Sequence, residues 1–196
     1  MTNDLIVPQI LKETTAGMQR YSILDQMLAN RQIECTGEIT AASVNALIRQ
    51  IRYLAQEDPS APITLYINSP GGEVTSGLAL YDVMQAVPCP IRTVCTGTAA
   101  SMAAVLFAAG SQRDMLPHAE VMIHDPLMQS CPGGSALQMK SLGDRLMRTR
   151  RIIGQVLAEH THHPLEEIYE KTCQDSFFGA EEAVAFGLAD RIITQL

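Results

Sequence analysis

The sequence predicts an α/β fold with a largely parallel sheet. Short runs of β-forming residues alternate along the chain with longer segments in which apolar residues recur at helical spacing. Prolines and glycines separate these runs and mark the turns between them. The chain has 196 residues, of which 46% are hydrophobic and 18% charged, so it can bury the core of one domain. Repeated strand–helix units of this kind pack as helices on a parallel sheet.

The first half of the chain alternates between the two element types. Residues 1–20 mix apolar and polar side chains without a period, which favours a flexible or conditionally ordered N-terminal segment. Thr40 is a suitable N-cap for a helix that continues to Glu57, because apolar residues recur there at helical spacing. The other predicted elements are a helix at 21–29, strands at 33–36 and 63–67, and a helix that ends near residue 87.

The second half contains the longest predicted helix. Residues 135–160 keep one apolar stripe, and at ~1.5 Å per residue this helix would be roughly 39 Å long. A domain of this size does not need such a length, so we expect the helix to project and to pack on another subunit. The other predicted elements are strands at 91–96, 120–124 and 191–194, a buried helix at 102–109, and short helices at 165–171 and 180–186.

Ser101 stands where a predicted strand passes into a predicted helix. Free backbone N–H groups and the positive end of the helix dipole can stabilise an oxyanion at such a position. A serine there more commonly does nothing but cap the helix. This segment alone therefore leaves two roles open for Ser101, helix cap or nucleophile.

Two further polar residues lie at or near predicted element ends. His124 closes an apolar strand in the run MIHDP, and Asp175 lies in the loop before two phenylalanines. A nucleophilic serine needs a base that takes its proton and a carboxylate that orients the base. Taken singly, His124 is more often a structural histidine and Asp175 an ordinary loop aspartate.

The turn Pro70-Gly71-Gly72 supplies another ingredient of a catalytic site. It follows a predicted strand, and open α/β sheets bind ligands at the carboxyl ends of their strands. Two glycines let backbone N–H groups approach a substrate carbonyl closely. A phosphate-binding loop is the poorer alternative, because no Gly-Lys-Ser/Thr sequence follows.

Composition argues against several other classes of protein. The net charge is −7 and no basic stretch suggests nucleic acid, so we expect no nucleic-acid partner. No apolar run is long enough to span a membrane, and residues 1–12 lack the features of a signal peptide. Five widely spaced cysteines favour free thiols in a reducing cytosol. The histidines at 160, 162 and 163 do not match the usual zinc spacings, so we expect no metal and no other cofactor in this chain.

Several motifs follow one another along the chain. They are LYINSPGG at 65–72, YDVM at 81–84, GTAASMA at 97–103, LP at 116–117, MIH at 122–124 and AVAFGLAD at 183–190. Together, from about Leu5 to the C-terminus, they resemble the proteolytic subunit of the Clp protease. The resemblance implies a serine peptidase of the ClpP/crotonase fold, an α/β fold of repeated β-α units with a protruding handle helix. It also implies an N-terminal axial segment at 1–20 and a single peptidase domain at 21–196, with the handle at about 127–160.

The resemblance assigns a role to each candidate residue. These roles are Ser101 as nucleophile, His124 as general base, Asp175 as the residue that orients the base, and Gly72 and Met102 as backbone N–H donors of the oxyanion hole. We also expect Pro126 and Leu127 to bind substrate by helping Met102 to form an apolar first pocket. Members of this family form heptameric rings that stack in pairs around an internal chamber. An AAA+ unfoldase of the Clp type docks outside, uses ATP and threads unfolded protein substrates in.

Two residues near the candidate site depart from the family pattern. Asp125 stands where a glutamine usually follows the histidine, and a carboxylate there could raise the pKa of His124. Gln174 stands where an arginine usually precedes the aspartate and pairs across the ring–ring junction. Loss of that ion pair predicts a weakly held second ring and low activity of the chain alone, and it makes a homologous ClpP subunit a candidate partner.

The favoured interpretation is a cytoplasmic serine endopeptidase subunit that cuts unfolded polypeptides to short peptides. A crotonase-type acyl-CoA enzyme of the same fold would keep the oxyanion hole but would not need an aligned Ser, His and Asp. A non-catalytic ring subunit would have lost triad residues, whereas this chain keeps all three. A weakly active subunit that works with a homologous partner is the second alternative.

Overall fold

The structure, a computed structural model, describes residues 8–15, 17–128 and 133–196, and these alternate between strands and helices. The strands are β1 (Gln9–Thr14), β2 (Gly17–Ser22), β3 (Gln32–Thr36), β4 (Ile63–Ser69), β5 (Ile91–Ala100), β6 (Gln112–Met115), β7 (Glu120–Ile123), β8 (Ser176–Gly179) and β9 (Arg191–Ile192). The helices are α1 (Ile23–Ala29), α2 (Ala41–Glu57), α3 (Val74–Ala86), α4 (Met102–Ala108), α5 (Ala136–Thr161), α6 (Leu165–Thr172) and α7 (Ala180–Ala185).

A seven-stranded sheet forms the centre of the fold. Its main path runs β3-β4-β5-β6-β9, and β7 pairs with β5 and with β8. Every pairing in this sheet is parallel except the antiparallel pair of β7 and β8. The predicted α/β fold with a largely parallel sheet is therefore confirmed.

The central helix α4 lies in the core of the protein. All of its residues are buried, from Met102 to Ala108. It contacts β4, β5 and β7 as well as helices α3 and α5. Its larger central side chains, Val105, Leu106 and Phe107, fill the space between the layers. The other four residues are one methionine and three alanines. The residue at the start of this helix is consequently held by packing on several sides.

Helix boundaries follow the capping residues of the sequence. Thr40 caps α2 by accepting a hydrogen bond from the Ser43 backbone N–H, and the Ser43 side chain accepts one from the Thr40 N–H. Ser135 begins α5 in the same way, through Gln138. Both starts agree with the sequence prediction, because these polar side chains satisfy N–H groups that a helix leaves unpaired.

Helix α5 is the longest of the described elements, with 26 residues. Only its C-terminal half enters the core, through Ile153, Val156 and Leu157. Its N-terminal half exposes large apolar side chains, including Leu137 and Met147. The helix therefore projects from the domain, as its length predicts.

The N-terminal segment differs from the sequence prediction. Its described part, residues 9–14 and 17–22, is a two-stranded antiparallel hairpin of β1 and β2, two strands that the sequence analysis does not predict. Most of its side chains are exposed, so no apolar alternation marks it in the sequence. Strand β2 also continues past the predicted boundary at residue 20, to Ser22. Residues 1–7 lie outside the described part of the chain.

The sheet is also more extensive than the sequence predicts. Strand β5 continues four residues beyond the predicted end, through Gly97 to Ala100. Strands β6 and β8 are absent from the prediction, because each has four residues and no clear alternation. These additions bring β7 and β8 together beside the end of β5.

The buried carboxylate of Asp114 joins three neighbouring strands, β5, β6 and β9, through ion pairs. Asp114 of β6 has no solvent exposure and pairs with Arg92 of β5 and with Arg191 of β9, the latter at 2.7 Å. Gln112 donates a further hydrogen bond of 2.8 Å to it. Burial raises the pKa of Asp114, but the hydrogen bonds from Arg191, Gln112 and Arg92 outweigh burial, so its pKa lies below the usual 3.8.

Candidate active site

Ser101 lies at the junction of β5 and α4 in a conformation that residues other than glycine rarely adopt. Its backbone has φ 56° and ψ −121°, and its side chain makes no capping hydrogen bond to the helix. Such a backbone costs about 1–3 kcal/mol and persists only where its surroundings enforce it. The amide of Ser101 donates to the carbonyl of Met122 at 2.8 Å, and its carbonyl accepts from Ala104. The cap interpretation of Ser101 is therefore wrong, and its hydroxyl is free for another contact.

The Gly71-Gly72 turn packs directly against this junction. Gly71 has φ 91°, and a Cβ added there would lie 2.6 Å from the carbonyl oxygen of Ala100 and 2.7 Å from Cβ of Ser101. Gly72 has φ 151°, and a Cβ there would collide with the backbone of Ile39. Both glycines are thus required by close approach of backbone to backbone.

The N–H of Gly72 takes no part in the hydrogen bonds that pair its turn with Ile39. Ile39 forms a parallel bridge with Gly72, in which the amides of Ile39 and Glu73 donate at 2.8 Å. This bridge does not use the N–H of Gly72. The N–H of Met102, the first residue of α4, has no partner within its helix either. These pairings thus leave out the N–H groups of Gly72 and Met102, the two that the sequence analysis predicts as donors of an oxyanion hole.

His124 stands next to Ser101 across the ends of neighbouring strands. Strands β5 and β7 pair in parallel, so Ser101 and His124 both follow strand ends at one edge of the sheet. Nε2 of His124 lies 2.8 Å from Oγ of Ser101. A neutral imidazole with its proton on Nδ1 accepts the serine hydroxyl at Nε2; this tautomer is assigned from the contacts.

Asp175 completes the group from the opposite side of the imidazole. Its Oδ1 lies 3.5 Å from Nδ1 of His124. The Asp175 side chain is 62% exposed, whereas that of His124 is 14% exposed. The structure thus brings the three candidate residues together, with a close contact at Ser101 and a longer one at Asp175.

The side chain of Asp125 contacts Arg150 and Thr172, whereas the sequence analysis expects it to act on His124. Its Oδ2 accepts a hydrogen bond of 2.6 Å from Nε of Arg150, and its Oδ1 accepts one of 2.7 Å from the Thr172 hydroxyl. The idea that this carboxylate acts on His124 directly is therefore wrong. Successive residues of an extended segment point to opposite sides, which sends the two neighbouring side chains apart.

Two connected hollows adjoin Ser101. A small cavity of about 20 Å³ is lined by apolar side chains together with Ser101 and His124, and Met102 and Pro126 are among its walls. A larger open groove runs past the Gly71-Gly72 turn and is lined on its other side by Pro126 and Leu127. Of the two predicted substrate-binding residues, Pro126 thus borders both hollows and Leu127 borders the groove.

The remaining histidines near the end of α5 have ordinary partners. His160 lies 3.2 Å from the Tyr81 hydroxyl, and burial lowers its pKa. His163 contacts Glu167 at 2.9 Å and stacks on Phe186. Within the described ranges, no three His, Cys, Asp or Glu side chains come together in a way that could hold a metal ion. Over the same ranges, no helix is long and apolar enough to cross a membrane.

The cysteines divide by location. Cys35, Cys89 and Cys95 are buried and free, and Cys173 is exposed and free. Burial raises the pKa of Cys35 and of Cys95 to about 11. Cys131 lies outside the described part of the chain.

Two residues beside the candidate site were not found by sequence reasoning, Arg150 and Thr172. Each lies far along the chain from Asp125, which both of them contact. Arg150 belongs to a basic stretch that looks like a solvated helix face, and Thr172 ends a short helix. No local pattern in the sequence marks either residue, so only the tertiary contact identifies them.

A comparison with known families agrees with this arrangement. A model of the Clp protease family matches residues 15–196, which is most of the chain. Members of that family are serine peptidases that self-assemble and associate with Clp unfoldases in general. The chain therefore belongs to the Clp protease family, as a ClpP-type proteolytic subunit with the α/β fold of that family.

Proposed function

We propose that the chain is a serine endopeptidase subunit in which Ser101 is the nucleophile, His124 the general base and Asp175 the residue that orients the base. The observation that carries this proposal is the 2.8 Å contact between Oγ of Ser101 and Nε2 of His124. A hydroxyl becomes a useful nucleophile only when a base within hydrogen-bond reach can take its proton. The Asp175 carboxylate, on the Nδ1 side of the imidazole, favours the tautomer that leaves Nε2 free to do so.

The reaction follows from this geometry in two stages. Oγ of Ser101 attacks the peptide carbonyl carbon while His124 takes the hydroxyl proton, and the negative charge that forms on the carbonyl oxygen is bound by the N–H groups of Gly72 and Met102. The protonated imidazole then gives its proton to the leaving amine as the C–N bond breaks. Water attacks the resulting ester with His124 again acting as base, which releases the acid product and restores Ser101.

Substrate recognition rests on the two hollows beside Ser101. We propose that an unfolded polypeptide lies extended in the open groove, between the Gly71-Gly72 turn and the Pro126-Leu127 segment. Backbone pairing with such edges gives affinity with little demand on side-chain identity. An apolar side chain next to the cleaved bond would enter the small cavity, which is lined mainly by apolar side chains.

The assembly follows the general behaviour of the family. We propose that the subunits form heptameric rings, that two rings stack through the projecting α5, and that cleavage occurs in the enclosed chamber in the cytoplasm. Exposed apolar side chains on α5, such as Leu137 at 79%, support a role in packing against another subunit. ATP is used by the AAA+ unfoldase of the Clp type that delivers substrates, and the chain itself carries no cofactor in this proposal.

A second candidate is a weakly active subunit that depends on a homologous ring partner. The observation that favours it is the position of Asp175, which is largely exposed and lies 3.5 Å from His124. An exposed carboxylate is screened by solvent and holds its partner less firmly. A crotonase-type acyl-CoA enzyme is disfavoured by the match to the Clp protease family over residues 15–196.

The proposal is tested with a fluorophosphonate probe and a fluorogenic peptide on the purified chain, alone and with a Clp unfoldase. We expect the probe to label Ser101, and Ser101→Ala to abolish labelling and lower kcat by at least about 10³-fold. Ser60→Ala, a change in an exposed loop, is the matched control and should keep both. Full cleavage by the Ser101→Ala variant would rule out this nucleophile, and activity only with a homologous ring would select the second candidate.

A further inference from the structure

We propose that Asp125 is a positioning residue: it holds the loop that carries Asp175 against the segment that carries His124, and it ties both to helix α5 through Arg150. This inference rests on the proposed peptidase function for its kinetic consequence. It adds a residue that the reaction itself does not touch. We refer to Asp125, Thr172 and Arg150 together as the aspartate clamp.

The first half of the clamp joins Asp125 to Thr172 at two points. The amide of Asp125 donates to the carbonyl of Thr172 at 2.7 Å, and the Thr172 hydroxyl donates to Oδ1 of Asp125 at 2.7 Å. Thr172 is buried and is the last residue of α6. Backbone and side chain of Asp125 therefore fix the end of α6 at one place.

A second anchor lies on the other side of the candidate residues. Ile123 of β7 pairs with Ser176 of β8 in the antiparallel ladder. His124 thus stands between the anchored residues 123 and 125, and Asp175 stands between the anchored residues 172 and 176. With both ends of each segment held, His124 and Asp175 face each other at a limited range of distances.

The two anchors differ in what holds them. Backbone hydrogen bonds within a ladder hold Ile123 and Ser176, and these persist under most side-chain substitutions. The first half of the clamp depends on the side chains of Asp125 and Thr172 for one of its two bonds. A change at either side chain therefore loosens one end of the Asp175 loop and leaves the other in place.

The second half of the clamp connects Asp125 to the long helix. Nε of Arg150 lies 2.6 Å from Oδ2 of Asp125, and both side chains are partly shielded from solvent, at 23% and 33% exposure. The Arg150 guanidinium also lies over the ring of Tyr169 on α6, 3.8 Å from its centre. Charge-assisted hydrogen bonds and stacked guanidinium groups are among the stronger polar contacts of proteins.

Close packing of the two helices fixes the direction from which Arg150 approaches. Gly154 lies one helical turn beyond Arg150, and a Cβ there would be 2.7 Å from the ring of Tyr169. Helices α5 and α6 are therefore in direct contact beside the clamp. A displacement of α5 moves Arg150 against Asp125, and through Thr172 it reaches the loop that carries Asp175.

The kinetic test uses Asp125→Asn, which removes the charge that binds Arg150 and leaves one acceptor oxygen where Arg150 and Thr172 each donate to an oxygen of their own. We expect kcat to fall by about tenfold or more with KM changed by less than about twofold, because the substrate groove is unaltered while the imidazole loses its alignment. Asp144→Asn, on helix α5, is the matched control, since Asp144 is exposed and pairs only with Lys140 among the described contacts. A kcat equal to that of the parent would overturn the proposal.

A double-mutant comparison separates positioning from a general structural defect. If Asp125 acts through Asp175, Asp125→Asn should have little further effect in an Asp175→Asn background, because residues that act as a unit are not additive. Multiplication of the two losses would instead mean that Asp125 acts elsewhere, and the proposal would fail.

A second pair of variants keeps the test independent of charge. Thr172→Val removes the hydroxyl with little change in shape and should lower kcat, whereas Thr172→Ser keeps the donor and should restore it. Equal kcat values for the two variants would contradict the clamp.

Hydrogen exchange tests the clamp without any catalytic readout. In parent protein and in Asp125→Asn, amide exchange is measured by mass spectrometry over peptides covering residues 170–178. Faster exchange in the variant at unchanged exchange of the α4 peptides supports the clamp, and identical exchange overturns it. Absence of Ser101-dependent cleavage in the parent would reject the proposed function alone, since this measurement still decides the clamp.

Discussion

The two sides of the imidazole are built in different ways. On the serine side, Ser101 and the Gly71-Gly72 turn are held by backbone contacts within the core, at the start of a fully buried helix. On the aspartate side, Asp175 lies in a surface loop between α6 and β8 and is largely exposed. The serine contact is 2.8 Å long and the aspartate contact 3.5 Å.

The difference shows that one site combines a strained, closely packed residue, Ser101, with an exposed loop that carries Asp175. Packing around α4 compensates the unfavourable backbone of Ser101, so the proposed nucleophile and the proposed N–H donors are held before substrate binds. The Asp175 loop has no such packing and depends on polar anchors at Thr172 and Ser176. We therefore expect substitutions on the serine side to change both stability and activity, and those on the aspartate side to change activity alone.

The largest effect is expected from Asp175→Asn. An amide cannot hold the imidazole in the tautomer that leaves Nε2 free, and kcat should fall by about 10³-fold. Because the Asp175 side chain is mostly in solvent, Tm should stay within about 1 °C of the parent. Kinetics with a fluorogenic peptide and differential scanning fluorimetry check both values.

The exposed Asp82→Asn, on helix α3, is the control and should leave both quantities unchanged. A Tm that falls by several degrees in Asp175→Asn would mean that the aspartate side also contributes to the fold, and the contrast between the two sides would disappear.

Gly72→Ala tests the serine side. The new Cβ would collide with the Ile39 backbone, and the backbone would have to leave φ 151°, so the N–H of Gly72 moves away from the carbonyl oxygen it is proposed to bind. Loss of one such donor lowers kcat by about 10²-fold. The strain should also cost about 1–3 kcal/mol of stability and lower Tm by several degrees.

Gly143→Ala provides the matched control for this substitution. A Cβ at Gly143, within α5, has no heavy atom within 4 Å, and alanine favours helix there by about 0.5–1 kcal/mol. Its Tm should not fall. If Gly72→Ala lost activity at an unchanged Tm, close packing of this turn would not be what holds it.

Asp114→Asn tests the ion pairs that join β5, which leads to Ser101, to β6 and β9. The change removes the charge that pairs with Arg92 and Arg191 in a fully buried position, and it should cost about 3 kcal/mol. The pKa of Asp114 is lowered in the folded protein, so its stabilisation is complete above the unfolded value of 3.8 and is lost as the pH falls through the folded value.

Urea unfolding between pH 3 and 7 measures this contribution. The parent should lose stability at the acid end of that range, and the decrease should be smaller in Asp114→Asn. Parallel stability curves for the two proteins would show that Asp114 does not contribute through its charge.

The smallest expected effect is a difference in thiol labelling rate between a cysteine on the aspartate side and one on the serine side, which needs no mutation. Cys173 is exposed on the aspartate side, whereas Cys95 of β5 is buried and burial raises its pKa to about 11. With a disulfide reagent at pH 8 and peptide mapping, Cys173 should react at least about tenfold faster than Cys95, because the thiolate is the reactive form. Similar rates would mean that β5 opens as readily as the surface loop.

Much of the fold was predictable from short patterns in the sequence. Helical spacing of apolar residues predicted α2 and α5, and the polar side chain of Thr40 marked where α2 begins. The Pro70-Gly71-Gly72 turn was recognisable because only glycine tolerates its backbone. These features depend on residues within a few positions of each other, which is why the sequence alone reveals them.

The candidate site was predictable in its residue types, and the resemblance to a known family supplied their roles. Their distances were not predictable, because Ser101, His124 and Asp175 come together only through the pairing of β5, β7 and β8. The four-residue β8 has no periodic signal of its own, and its place depends on a partner about fifty residues away. The backbone of Ser101 likewise depends on the core around it rather than on its neighbours in sequence.

What the sequence determined, therefore, is the alternation of the longer strands and helices, the cap of α2 and the glycine turn, since local spacing and local backbone preference govern those. The tertiary structure alone decided that residues 9–14 and 17–22 form a hairpin, that Ser101 does not cap its helix, and that Asp125 contacts Arg150 and Thr172 instead of His124. In each case the deciding contact joins two parts of the chain, and local patterns in the sequence do not show that those parts meet. The contact is cross-strand pairing for the hairpin, packing around α4 for Ser101, and the meeting of β7, α5 and α6 for Asp125.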